Sequence, residues 1–240
     1  MQVIENMNFA KAWTELLPKL IGQALEIVIL VTVVSFVLAI LFGFLLALGR
    51  LSRHKWLNRI IIVFQEIIRG TPLLVQLVYI YYVFPLLGEI IMYFFFHQDY
   101  QNSMSSVVAG IIGMSINYGT YISEVIRSAI ISIDKGQTEA ALALGFTPGQ
   151  SMRRIVIPQA FRNSIPVFGN YLLTLVKDTS LMAYITTPEL LQTTKAYVSQ
   201  SFLTIESYTI VALVYLVICL ALSFLLKLFE RKVSSAAKRR

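Results

Sequence analysis

An all-α integral membrane protein with five spanning helices is the fold class this sequence predicts, and three observations carry the prediction. The 240-residue chain is 57% hydrophobic and only 14% charged, with a mean hydropathy of +0.71; soluble domains hold roughly 45–50% apolar and about 25% charged residues. The apolar excess is gathered into long runs, as a chain solvated by lipid requires. The basic residues cluster at alternate junctions between those runs. Segments 50–59, 127–154 and 227–240 hold 4, 4 and 6 Lys/Arg, against 2, 0 and 1 in 1–19, 85–104 and 178–204. Five spans produce that alternation, and the positive-inside rule puts the N-terminus outside and the C-terminus in the cytoplasm. The net charge of +7 comes from these short clusters beside apolar spans, which speaks against a nucleic-acid groove.

Residues 1–19 are mixed polar and apolar and read as an external N-terminal segment ending near Pro18. The first span runs from about Leu20 to Gly49. That is too long for the ~7–15-residue apolar region of a signal peptide, so the span is expected to be retained. It also exceeds the ~30 Å hydrocarbon core and should tilt or project. Arg50, Arg53, Lys55 and Arg59 follow as the first basic cluster. An amphipathic stretch, Leu57–Arg69, carries Gln65, Glu66 and Arg69 before Gly70-Thr71-Pro72 bends the chain, because proline removes a helical hydrogen bond.

The second span starts at Pro72 and reaches Phe84 or Phe96, with Pro85 and Gly88 as kink points. The weakly charged segment His97–Ser106 reads as external. The third span covers about Met104–Ile131, and the fourth covers Ile155–Val176, interrupted by Pro158 and Pro166. Residues 177–204 form a less basic segment containing Pro188. The fifth span, about Ser207–Leu228, leads into a basic cytoplasmic tail, 231–240. The transmembrane domain is thus 20–230, with one long polar interruption at 134–158.

That interruption is the most informative segment. Asp134 can cap a helix start, and Glu139 places a carboxylate near the positive end of the dipole. Ala140, Ala141 and Ala143 build a helix of small bulk. Gly145 lets the chain turn or approach another backbone, and Pro148-Gly149 punctuates before a second short helix. Two short helices at a bend, flanked by Arg153 and Arg154, serve either as a docking surface or as an ordinary cytoplasmic helical loop.

On the fourth span, Asn170, Tyr171, Thr174, Lys177 and Asp178 recur at helical spacings and share one face. Polar groups in a spanning helix usually face the bundle interior or a water-filled path. A zwitterion needs a carboxylate for its ammonium and donors for its carboxylate. Asp178 can supply the first, with Thr179 and Ser180 adding hydrogen bonds; alternatively Lys177 and Asp178 cap the outer end of the helix. Glu66 and Arg69 stand at i,i+3 and form a structural pair, unless Arg69 meets a gate or a partner subunit. Gln76, Tyr79, Tyr81 and Tyr82 line a path or sit as interfacial aromatics. Asn117, Tyr121 and Glu124 form another polar stripe on the third span.

Enzyme and cofactor readings find no support. GxxxxGK[ST] and HExxH are absent, so neither ATP nor a metal ion is expected on this chain. His54 and His97 fall on opposite predicted sides. The single cysteine, Cys219, forms no intrachain disulfide and reads as a packing residue.

EAALALG followed by IVIP, residues 139–158, resembles the EAA loop of ABC-importer permeases. IRGTPLLVQL (Ile68–Leu77), LVKDTSL (Leu175–Leu181) and SIDKGQTEAALALG resemble the polar amino-acid uptake permeases of the histidine, glutamine, arginine and cystine type. The likeness extends over about residues 20–230. It implies a five-helix type I permease fold in which Glu139, Ala140, Ala141, Gly145, Ile155 and Pro158 form a cytoplasmic coupling helix docked on an ATP-binding subunit. Ile157 stands where leucine is usual. The implied partners are two ATP-binding subunits, a second permease copy or paralogue, and an external substrate-binding protein.

Asn170, Tyr171, Thr174, Asp178, Thr179 and Ser180 become the expected substrate path, with Glu66, Arg69 and Pro72 as structural or gate residues. Cation-carrying relatives commonly show a glutamate where Tyr171 stands, so a neutral polar amino acid or cystine is the expected cargo, moved by alternating access. The rivals are the same machinery for another small polar solute, and a passive channel or ion-coupled carrier, which needs no motor-docking loop.

Overall fold

The computed structural model describes residues 7–97 and 104–238, with side chains described as far as residue 232. The two chain ends, most of the predicted external segment 97–106 and the side chains of the basic tail beyond Lys232 therefore lie outside the described residues. Every regular element among the described residues is helical.

Helix α1, Phe9–Lys19, starts at Asn8, whose side chain accepts a hydrogen bond from the Lys11 amide, and it continues through a wide π turn, Leu20–Ala24, into α2, Leu25–Arg50. The helix thus begins well before the predicted span. Ala12, Leu16, Leu20, Ala24 and Val28 recur every fourth residue, and this buried stripe keeps the chain helical past Pro18. The kink falls instead at Gly22, whose ψ of −126° is non-helical.

Helix α3, Lys55–Arg69, stops at Gly70, and extended backbone at Pro72 starts α4, Leu73–Val78. A π turn, Tyr79–Val83, joins α4 to α5, Phe84–Phe96. Helix α6 spans Ser106–Ile131. The polar interruption folds into α7, Lys135–Ala143, and α8, Pro148–Ser151. A third π turn, Met152–Val156, opens into α9, Ile157–Asp178, which runs unbroken through Pro166. A 3₁₀ segment, Thr179–Ile185, precedes α10, Leu190–Ser201, and α11, Thr204–Lys238.

Three stretches, Phe9–Arg50, Leu73–Phe96 and Thr204–Lys232, are both long and apolar enough to cross a membrane. Helices α6 and α9 have 26 and 22 residues, about 39 and 33 Å at 1.5 Å per residue. They are long enough to span but more polar. For α6 the reason is burial: Ala109, Met114, Tyr118, Ile122 and Ile126 are all withdrawn from the surface, together with Asn117, Thr120 and Ser123. Such a helix meets protein on most sides and lacks the lipid-facing apolar coat.

The chain forms two compact units. The first gathers the chain up to Phe36 with Thr71–Met114 and Leu173–Leu222. Its core packs the α1–α2 stripe with Val176, Leu190, Tyr197, Ile210 and Val211. Two hydrogen bonds fasten the N-terminal helix there, from the Asn8 amide to Glu206 Oε1 (2.8 Å) and from the Tyr197 hydroxyl to Glu15 Oε2 (3.0 Å). The second unit comprises Val37–Gly70, Ser115–Leu172 and the chain from Ser223.

Glu189, between the two last long helices and outside the membrane-spanning segments, caps α10 from a fully buried position. Its carboxylate accepts bonds from the Leu191 and Gln192 amides (2.8 and 2.7 Å) and from the Tyr215 hydroxyl (2.9 Å). Burial outweighs these donors and pushes its pKa from the ordinary 4.5 up to about 7. An acid held above its unfolded pKa binds its proton more tightly in the folded state, so it loses stability as pH rises between the two values. The melting temperature of the detergent-solubilised chain should therefore fall from about pH 4.5 to about pH 7 through this group and then level. Glu189→Gln should remove that slope. A variant that keeps the full slope would assign it elsewhere.

Candidate functional site

Residues 134–158 form a knuckle of two short helices joined by a tight bend. The Asp134 carboxylate accepts the Gly136 amide at 2.6 Å and caps α7, as the sequence predicts. Glu139 stands in the second turn and is exposed, beyond the first turn where the dipole acts most strongly. At the other end the Phe146 amide donates to Ala141 O and the Gly145 amide to Leu142 O, each at 3.0 Å. These two bonds with Gly145 at φ +85° make a Schellman cap. Thr147 then forms a reciprocal capping box with Gln150, with Pro148 in the first turn of α8. Both ends of the bend are thus closed by local hydrogen bonds.

The knuckle's outer face is small and smooth. Glu139, Ala140, Gly145 and Pro158 are exposed, Ile155 is half-buried and Ala141 is buried. Leu142 and Leu144 project beside them, Leu144 with 78% of its surface exposed. The sequence reading passed over these leucines. Their signal was an apolar pair, two residues apart, in a segment with no need to cross lipid.

Asn170, Tyr171, Thr174 and Asp178 all lie on α9, and Thr179 and Ser180 follow it directly. Asn170 and Tyr171 belong to the second unit; Thr174, Asp178, Thr179 and Ser180 belong to the first. Asn170 and Thr174 are exposed and Asp178, half-buried, ends α9. The Thr179 hydroxyl donates to Val176 O (2.7 Å) and that of Ser180 to Lys177 O (2.8 Å). Both protons thus close the last turn of the helix.

Tyr171 lies among rings, with the centroids of Tyr118 and Tyr121 each 6.2 Å away. In the same unit, Tyr171, Tyr121, Arg69, Glu124, Asn163 and Ser164 line an open cavity of about 500 Å³. Arg69 reaches this cavity while holding Glu66 at 2.9 Å, so the predicted i,i+3 pair and a cavity-facing position coexist. Pro72 occupies the start of α4.

Sequence reasoning missed the polar network behind the cavity. Fully buried Gln65 accepts from Arg50 Nη1 at 2.6 Å and donates to Ser123 Oγ at 3.0 Å. Glu124 pairs with Arg127, one turn on, and lies 3.9 Å from Arg50. Most buried polar groups in proteins are hydrogen-bonded, and here the Gln65 amide, the Ser123 hydroxyl and Arg50 Nη1 bond one another, although Arg50 Nε is buried without a partner among the described residues. The network fixes α3 against α6 and orients the Glu124 carboxylate. No group of three or more His, Cys, Asp or Glu side chains suited to a metal ion occurs among the described residues.

Comparison with known proteins places this geometry. The family model described as "Binding-protein-dependent transport system inner membrane component" matches residues 39–235. The chain is similar to the probable amino-acid permease protein YxeN of Bacillus subtilis, 38% identical over 88% of this chain and 90% of that protein. It is similar to the L-cystine transport system permease protein TcyB of the same organism, 34% identical over 84% of this chain and 81% of that one. A solved amino acid ABC transporter superposes with a TM-score of 0.82 at 31% identity, covering 95% of this chain and 99% of that chain. The fold is accordingly the all-α type I importer permease fold predicted from the sequence, in an inner-membrane transport component that is not itself an enzyme. With 197 consecutive positions matched, the chain belongs to the binding-protein-dependent transport system inner membrane component family, the permeases of ABC importers.

Proposed function

We propose that the chain is the permease subunit of an ATP-driven importer for a polar amino acid, with a neutral residue or cystine as cargo. Residues 20–230 form its transmembrane domain, and residues 134–158 face the cytoplasm as the coupling segment on which an ATP-binding subunit docks. The N-terminus is outside and the C-terminus inside. A second permease, identical or paralogous, completes the pathway, and an external binding protein delivers cargo. Nucleotide-driven closure of the motor subunits shifts the knuckle, and α6 and α9, attached at its two ends, carry the shift between inward- and outward-facing states.

The knuckle is the observation that carries this reading. A segment transmitting force must not deform locally, and both ends of its bend are closed by caps. It must also offer a surface, and exposed Leu144 and Leu142 stand beside alanines with little side-chain entropy to lose. Within the permease, the cavity beside Tyr171 has the groups a zwitterion needs: Glu124 for an ammonium, the Arg69 guanidinium for a carboxylate, and aromatic walls. Its tyrosine, in place of the glutamate common in cation carriers, favours uncharged side chains. The permeases for L-cystine and other amino acids among its relatives support the same cargo class.

Leu144→Cys in a Cys219→Ser background leaves one thiol on the chain. It should cross-link to a cognate ATP-binding subunit, and proteoliposomes holding the assembled complex and its binding protein should take up labelled cystine or glutamine only with internal ATP. Uptake that survives ATP removal, with no cross-link, would establish a channel or ion-coupled carrier instead.

A further inference from the structure

Helix α3 divides into three faces. One is buried and carries Ile61 and Gln65. The opposite stripe, Trp56, Ile60, Val63 and Ile67, repeats at helical spacing and is more than half exposed at every position, with Trp56 reaching 82%. Lys55 and Arg59 fall on a third face beside this stripe, and Arg53 precedes the helix by two residues; all three are exposed. Among the described residues, none of the three belongs to an ion pair.

The charge at this end is unusual for a helix start. The first turn holds no acidic residue, and His54 at the cap makes no side-chain hydrogen bond to the free amides. Cations at an N-terminus add to the positive end of the dipole where carboxylates normally offset it. Arg53, Lys55 and Arg59 therefore reinforce a field that no first-turn carboxylate and no ion pair among the described residues offsets. An exposed indole next to that field, at the end of an apolar stripe, is the arrangement that sits at the headgroup level of a bilayer.

We propose that this end of α3 is a binding site for anionic phospholipid: acyl chains lie along Ile60, Val63 and Ile67, Trp56 rests at the ester level, and Arg53, Lys55 and Arg59 hold the phosphate and the negative headgroup. Charge complementarity selects this occupant. A second copy of the chain would bring the same three cations to the contact, and a zwitterionic lipid would leave the excess positive charge unmatched. The proposal is independent of the cargo and of which leaflet α3 enters.

The chain has two tryptophans, Trp13 and Trp56, so Trp13→Phe makes Trp56 the sole indole reporter. The full-length Trp13→Phe chain would be placed in nanodiscs containing equal mole fractions of phosphatidylglycerol and phosphatidylcholine, with one or the other brominated on its acyl chains. Brominated phosphatidylglycerol should quench Trp56 about twice as strongly as brominated phosphatidylcholine, and the difference should vanish in about 1 M salt, where the Debye length falls to ~3 Å. Adding Arg53→Gln, Lys55→Gln and Arg59→Gln, all exposed and outside the core, should equalise the two quenchers while keeping the absolute quenching. Equal quenching before these substitutions overturns the proposal. Absence of quenching by either lipid also overturns it and gives the stripe to a protein neighbour.

Discussion

Replacing Gly145 with aspartate should abolish ATP-driven uptake, by a hundredfold or more at about 3 kcal/mol of lost coupling, while leaving the chain at its normal level in the membrane. The separation of the two effects follows from where the glycine sits. A Cβ built at Gly145 meets nothing within 4 Å, so the fold accepts the side chain without a clash. Its φ of +85° imposes a cost, but that cost is on the order of 1–2 kcal/mol at one exposed turn. What aspartate does is place a charge and added bulk beside Leu144, on the face that an ATP-binding subunit is proposed to cover. A buried carboxylate with no partner is costly at an interface. Gly145→Ala, carrying the backbone strain without the charge, should retain a substantial part of the transport. Uptake is checked in proteoliposomes, and membrane level by quantitative blotting. Near-normal uptake by the aspartate variant would remove the knuckle from the coupling mechanism.

Gly43→Val should have the opposite signature, with the folded chain itself lost. Gly43 on α2 faces α6 so closely that an added Cβ would lie 2.8 Å from the Gly119 carbonyl oxygen and 3.0 Å from both the Ser123 amide nitrogen and Ile122. Gly119 answers from the other side, where a Cβ would fall 2.7 Å from the Phe42 ring and 3.3 Å from the Ala39 carbonyl oxygen. The obstacles at Gly43 include main chain on the neighbouring helix, which no rotamer change relieves. Overpacking of this kind costs typically 1–3 kcal/mol, and more where backbone must move. Valine should therefore lower the melting temperature of the solubilised chain steeply and reduce its membrane level. Gly43→Ala should do so by a smaller amount. Unchanged melting of the valine variant would show that α2 and α6 do not approach each other in this way.

The contrast between these glycines shows what was legible in the sequence. Gly145 follows an alanine-rich helix and precedes Thr-Pro, so its part in a turn is a local matter. The break at Gly70-Thr71-Pro72 and the Asp134 cap are local in the same sense, and each is found where the residues announce it. Gly43 gives no local sign, because its necessity comes from a helix more than seventy residues on. Gln65 is similar: its partner Ser123 is 58 residues away, and no periodicity links them. The ring cluster at Tyr118, Tyr121 and Tyr171 also forms only in space.

Proline does not end the helix in two places where local propensity predicts it. Pro18 looked like a boundary and Pro166 like an interruption, yet helices run past both. Propensity is a weak prior, and the buried four-residue stripe beside Pro18 overrides it. The low apolarity of α6 is likewise a matter of context, since a buried helix is written for protein neighbours.

The widened turns have a mechanical meaning. Two of them, Tyr79–Val83 and Met152–Val156, end just before Pro85 and Pro158. Each therefore lies over the carbonyls that a proline nitrogen, lacking a hydrogen, leaves unanswered. An extra residue per turn accommodates that mismatch without severing the rod, and such sites are where helices bend most readily. In the proposed coupling movement, these fixed positions are where bending would concentrate, with regular helix on either side.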